Sequence, residues 1–121
     1  MAHDIFADLV EWLNENVPDV SWWEDTYSAD SLPLGIVEED LIDRIGMGDT
    51  ATTSGVYKIT ITIITTIDTP EDEINQWIET MEQGLNEVLG NTYFDSSAWA
   101  VDNETGWKVH AREYYTELEI T

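Results

Sequence analysis

Between Ser54 and Leu89 the spacing of apolar residues switches from a strand period to a helical one across a single Thr-Pro step. Tyr57, Ile59, Ile61, Ile63 and Ile67 share one parity, and Lys58, Thr60, Thr62 and Thr66 the other, interrupted by Ile64. Such alternation belongs to a half-buried strand in an antiparallel or mixed sheet, and the β-branched content suits it. After Thr69-Pro70-Glu71-Asp72 the apolar stripe becomes Ile74, Trp77, Ile78, Met81, Leu85, Val88 and Leu89, the pattern of an amphipathic helix. Thr69 can cap it, Pro70 suits its first position, the two acids favour the positive end of its dipole, and Gly90-Asn91 supplies the stop. The helix is expected on the odd-numbered face of the strand.

The flanking segments extend this frame. Ile5, Phe6, Leu9, Val10, Trp12, Leu13 and Val17 recur at helical spacing, which predicts a helix over about Ala2–Asn16, capped by His3 or Asp4 and ended by Pro18. Asp8, Glu11, Asn14 and Glu15 form its solvent face. Val20–Tyr27 reads as a strand or extended segment, with Trp22 and Trp23 on opposite sides if a strand. Leu34–Val37 reads as a short strand after Pro33. Leu41, Ile42 and Ile45 fit either a helical turn or a continued strand, and Gly46 to Gly55 a polar loop. Thr92–Val101 and Trp107–Ile120 read as two closing strands joined by the turn Asp102-Asn103-Glu104-Thr105-Gly106. The apolar parity of the last strand shifts near Tyr114 and Tyr115, which predicts a bulge there. The expected fold is α+β: one domain over residues 1–121, with a mostly antiparallel or mixed sheet of about four to five strands packed by two α-helices. The length fits one domain and a single core.

Charge constrains the surroundings more than the fold. Asp and Glu number 26, Lys and Arg 4, and the net charge is -22. Disorder does not follow, because 42% of residues are apolar and six are Trp. At molar salt the Debye length falls to about 3 Å, so repulsion among surface carboxylates largely disappears. The composition therefore points to concentrated salt; the rival is an acidic protein of an ordinary cell, such as a nucleic-acid mimic. Direct phosphate binding is not expected without clustered cations. There is no cysteine, which excludes disulfides and thiolate metal sites. No apolar run approaches the roughly 20 residues of a membrane span, and the acidic N-terminus lacks a basic signal-peptide start. A soluble protein made in the cytoplasm, without membrane contact, is expected.

Catalytic signatures are not found. Glu38-Glu39-Asp40 invites a divalent ion but lacks the spacing of a calcium loop, and a solvated acidic face explains it. His3 and His110 stand in no metal-ligand pattern. No nucleophile elbow or phosphate loop occurs; Gly46-Met47-Gly48 has no third glycine or helix after it. Neither enzymatic activity nor a metal or other cofactor is expected.

The few cations are more informative. Lys108, His110 and Arg112 share one parity of the last strand, and Lys58 lies on the polar parity of the long one. Either each offsets a neighbouring acid across strands, or these strands form a subunit contact in which cations meet acids of the next copy. Among the aromatics, Trp12, Trp77 and Trp99 fit core positions. Trp22, Trp23 and Trp107 are harder to bury together, and Trp is enriched at interfaces.

The stretch from Ser54 through Thr69-Pro70-Glu71-Asp72-Glu73-Ile74 and into the helix resembles the tail terminator, or tail completion, proteins of long-tailed phages and related archaeal viruses. In that family an N-terminal helix precedes a Pro-containing strand, here near Leu32 to Val37. A loop, an alternating strand, an acidic turn, a helix and two closing strands follow, so the resemblance in element order spans nearly the whole chain. It implies a virion structural protein that forms a ring, typically of six copies, at the head-proximal end of the tail tube. The ring stops tube growth and joins the tail to the capsid neck. The partners implied are further copies of itself, the major tail tube protein and head–tail connector or neck proteins; DNA passing through the ring would need no direct contact. With the acidic composition, the resemblance implies a virus of a halophilic archaeon. The ring contact is expected at Lys58, Lys108, His110 and Arg112 with Trp22, Trp23 or Trp107. The loop at Gly46, Met47, Gly48, Asp49 and Thr50 is expected to touch tube or neck. Two alternatives stay open: another neck protein such as a head-closure component, and a cellular acidic binding protein or nucleic-acid mimic.

Overall fold

Asp4 opens the first helix by accepting from the backbone N–H groups of Phe6 and Ala7, each at 3.1 Å. A computed structural model describes residues 4–25, 32–46 and 53–120. Its elements are α1 (Ile5–Asn16), β1 (Ser21–Glu24), β2 (Leu34–Gly46), β3 (Thr53–Thr66), α2 (Glu71–Leu89), β4 (Thr92–Asp102) and β5 (Trp107–Ile120). One five-stranded sheet has the order β1-β2-β3-β5-β4. β1 runs parallel to β2 and every other neighbour is antiparallel, so the sheet is mixed and the fold is α+β.

The ambiguous stretch after Val37 continues as strand. Leu34–Gly46 pairs with Thr53–Ile64, and the ladder takes in Gly46 and Thr53, which the sequence pattern assigned to a loop, while the strand begins close to the expected Ser54. At the start of α2, Thr69 is one residue too early to cap. Its N–H donates to the Thr66 carbonyl at 3.1 Å, and the two hydroxyls lie 3.1 Å apart. Pro70 occupies the cap position with extended backbone (ψ 137°) and no side-chain cap bond. Gly90 ends α2 at φ 89°, a conformation that a side chain would strain.

Both helices lie on one face of the sheet, the odd-numbered face of β3. Phe6, Leu9 and Leu13 of α1 and Met81, Leu85 and Leu89 of α2 pack with Val37, Ile59, Ile61 and Ile63. Each large aliphatic side chain buried there contributes about 1.5–3 kcal/mol. The opposite face carries a smaller cluster at one end: Leu34, Ile36 and Ile64, with Leu32, Trp107 and Val109 against them.

This two-faced burial replaces the bulge expected in the last strand. β5 keeps unbroken register with β3 from Trp107 to Ile120. Trp107 and Val109 join the small cluster, while Tyr114 and Leu118 join the large one on the other face. The apolar parity shifts because opposite ends of the strand are buried on opposite faces. The register breaks occur elsewhere, between Leu41 and Asp43 of β2 and between Phe94 and Ser96 of β4.

Candidate functional site

β4 is the edge strand on the side of the sheet where helix cover runs out. None of its eleven residues is buried and nine are exposed, and it carries a run of exposed large apolar side chains: Tyr93 66%, Trp99 65% and Phe94 52%. The extra residue Asp95 lets Phe94 pair with Tyr114 and Trp99 with His110, which puts both rings on the helix side of the sheet. Trp99 is therefore not the core residue that its spacing suggested. It sits where the sheet projects beyond α2, and a groove of about 340 Å³ opens between them. Asn75 and Ile78 form its helical wall, and Ser97, Trp99, His110 and Arg112 lie along its sheet side.

The cations of β5 lie on this same face. Lys108 pairs with Glu71 of α2 and stands over the Trp99 ring at 5.1 Å. Arg112 meets Glu82 of α2 at 3.2 Å and donates to the Tyr114 hydroxyl at 2.8 Å. That hydroxyl donates in turn to Glu82, also at 2.8 Å, closing a triangle. Burial raises the Tyr114 pKa, so the phenol stays a donor. The Arg112 guanidinium also lies 4.5 Å from the centre of the Phe94 ring. His110 has its pKa lowered, first by burial and then by Lys108, and its Nε2 is buried without a hydrogen-bond partner among the described residues. Lys58 faces away from the helices and pairs with Glu113 at 3.2 Å, and Ser96 donates to that carboxylate at 3.1 Å.

Thus Lys108, His110 and Arg112 are brought together on one face, with Lys58 on the other. Lys108 and Arg112 are answered by acids of α2 rather than by acids across strands. The three tryptophans separate. Trp22 is in the core: its indole donates to the Val17 carbonyl at 3.1 Å and lies over Gly35, where a Cβ would overlap the ring. Asn14 holds the Trp22 backbone through both its amide groups, at 3.0 and 3.2 Å. Trp23 is exposed and donates to Ser21, as expected of opposite faces. Trp107 is half-buried against the small cluster. Of the expected contact loop, Gly46 ends β2, and Met47, Gly48, Asp49 and Thr50 lie outside the described residues, as does His3.

At the far edge of the sheet, on the same helix-covered face, lies an acidic grouping. Glu39 groups with Glu24 and Asp25, not with its chain neighbours Glu38 and Asp40, because alternation sends those to the other face. One carboxylate oxygen from each of the three lies within 4.8 Å of the others. Asp25 takes the left-handed conformation (φ 59°), and its N–H donates to Val37 at 3.0 Å. Burial, then the charges of Asp25, Glu24 and Asp4, push the Glu39 pKa up to about 7. Three such oxygens fall short of the six to eight that calcium takes; the arrangement is a crowding of like charge. Neither the Tyr93–Phe94–Trp99 edge nor this grouping was read from the sequence. The usable signal for the first was the uncharged run Ser96–Val101 in so acidic a chain.

No protein-family model matches the chain, and no curated protein does. Among solved structures, a chain from the virion of a native gene transfer agent particle is similar, with a TM-score of 0.56 and 12% identity. The match covers 96% of this chain and 92% of that one. At this identity the likeness is one of fold.

Proposed function

We propose that the chain is a virion structural protein that forms a ring of six copies at the head-proximal end of a viral tail tube. There it ends tube polymerisation and joins the tail to the capsid neck. The observation that carries this reading is the fold likeness to a gene transfer agent virion chain over nearly the full length of both. The element order favours the terminator role among virion roles: a helix, an alternating strand, a Pro-started helix and two closing strands. The partners are then further copies of the chain, the tail tube protein and a neck protein. With a net charge of -22, the protein is suited to the concentrated salt of a halophilic archaeal host.

The test is tube growth in multimolar KCl. Tube protein of the same virus is allowed to polymerise with and without this chain, and tube lengths are read by electron microscopy. Capping at one end, with shorter tubes at substoichiometric amounts, is the expected result. Binding to the portal or its adaptor without any effect on tube length would make it a head-closure protein. Binding to neither, with the chain monomeric at every salt concentration, would leave an acidic binding module.

A further inference from the structure

β4 pairs with β5 along one side, and among the described residues nothing pairs with its other side. Residues 26–31 and 47–52, outside the described residues, link β1 to β2 and β2 to β3, strands that β5 separates from β4. An open edge offers a row of backbone donors and acceptors that another strand can complete. Proteins commonly blunt such an edge with charge or proline. Ser96–Val101 has neither, in a chain with 26 acids. The acids Asp95, at the register break, and Asp102 stand only at its two ends.

Charge selects the occupant. Each copy carries a net charge of -22, so two copies approach most easily where carboxylates are absent. A second β4 is such a surface. The regular part of the strand, from Ser96 to Asp102, is centred on Trp99. Antiparallel pairing about a two-fold axis at Trp99, normal to the sheet, keeps the helices of both copies on one face. It sets Ala98 opposite Ala100, Ser97 opposite Val101 and Asp102 opposite Ser96 of the second copy. No carboxylate within the paired stretch then faces another, an arrangement that would be destabilising. On the axis the two Trp99 rings stand directly opposite each other on the helix side. Aromatic pairs at that position are among the favourable cross-strand contacts, and both exposed indoles become covered.

We infer that two copies of the chain join through β4, antiparallel and two-fold symmetric about Trp99, so that their sheets become one. The contact goes beyond the ring reading above and does not depend on it. An isologous contact closes at two copies, whereas a ring is built from head-to-tail contacts. Screening governs its strength: the dimer gains as KCl rises and weakens as salt is removed.

Because the chain has no cysteine, an introduced thiol reports this contact directly. Ala98→Cys, at an exposed position, is treated with a short bis-maleimide in multimolar KCl. The two thiols lie diagonally across the strand pair, about 7–8 Å apart at their backbones. Covalent dimers are expected from this single variant, and none from Glu11→Cys, exposed on α1. Equal yields from the two variants would overturn the inference, since random collision would then be the source. An oligomer seen by light scattering that gives no covalent dimer through Ala98→Cys would overturn it and leave a head-to-tail ring standing. A monomer at every salt and protein concentration would overturn it as well. As a second measure, Trp99→Asp places two carboxylates on the axis and is expected to halve the solution mass with an unchanged far-UV spectrum. Trp99→Tyr is expected to keep the parent mass. An unchanged mass for Trp99→Asp would count against the contact.

Discussion

Gly84 of α2 lies directly under the indole of Trp12 of α1, where a methyl group would take the space of the ring carbons. A glycine inside a helix ordinarily costs about 1 kcal/mol relative to alanine. Here it lets the two helices meet over the sheet. Gly84→Ala is therefore expected to destabilise despite its better helix propensity, by about 1–2 kcal/mol, as overpacking outweighs the gain. Urea unfolding checks this. Adding Trp12→Leu should restore part of the loss, and the cycle of single and double variants measures the coupling.

The six tryptophans divide by position rather than by type, and Trp22 and Trp99 make the sharpest contrast. Trp22→Ala removes a buried ring and its bond to Val17, and is expected to cost about 3–5 kcal/mol. Trp99→Ala should stay within about 0.5 kcal/mol of the parent in the monomer, because the ring is largely exposed. Thermal melts at one salt concentration separate the two. Equal losses would mean that β4 is covered within the single chain.

Glu39 gives stability an inverted pH response. Its carboxyl faces Glu24 and Asp25 at the end of β1 and Asp4 at the start of α1. The folded pKa is raised from 4.5 to about 7, so the folded chain holds a proton that the unfolded chain has released. The contribution is fully present below about pH 4.5 and is lost as pH rises through about 7. Glu39→Gln is expected to flatten this fall and to be the more stable protein at pH 8. The gain should be of order 1 kcal/mol, because the group is partly solvated and screened. Denaturant midpoints of both proteins across that range provide the comparison.

Salt acts on the whole surface. With a net charge of -22, self-repulsion opposes the compact state. The melting temperature is expected to climb as KCl shortens the Debye length from about 10 Å to about 3 Å. Replacing KCl with an uncharged osmolyte of equal osmolality distinguishes screening from exclusion; an equal rise in both would rule out charge as the cause.

Much of the frame was legible because it depends on periodicity within single elements. The odd parity of Ile59, Ile61 and Ile63, the stripe from Ile74 to Leu89 and the opposite faces of Trp22 and Trp23 needed no tertiary information. What escaped depends on relations between elements. Trp99 has a spacing compatible with the core, but whether it is covered is decided by where α2 passes over the sheet. Glu39 was readable only as part of a run with Glu38 and Asp40, since its grouping with Glu24 and Asp25 is set by the β1–β2 register. The partners of Lys108 and Arg112 lie on a helix that β4 separates from them in the chain. The last-strand bulge was a misreading of a regular strand that is buried on both faces.

The strand order has a consequence for synthesis. β4 joins the sheet only through β5, and β5 leaves the ribosome after it. Until β5 has emerged, β3 has no partner on that side and β4 has no sheet to border. The exposed aromatic edge is thus the last surface to be put in place. The five-stranded sheet is complete only once the fourteen-residue span Trp107–Ile120 has zipped onto β3.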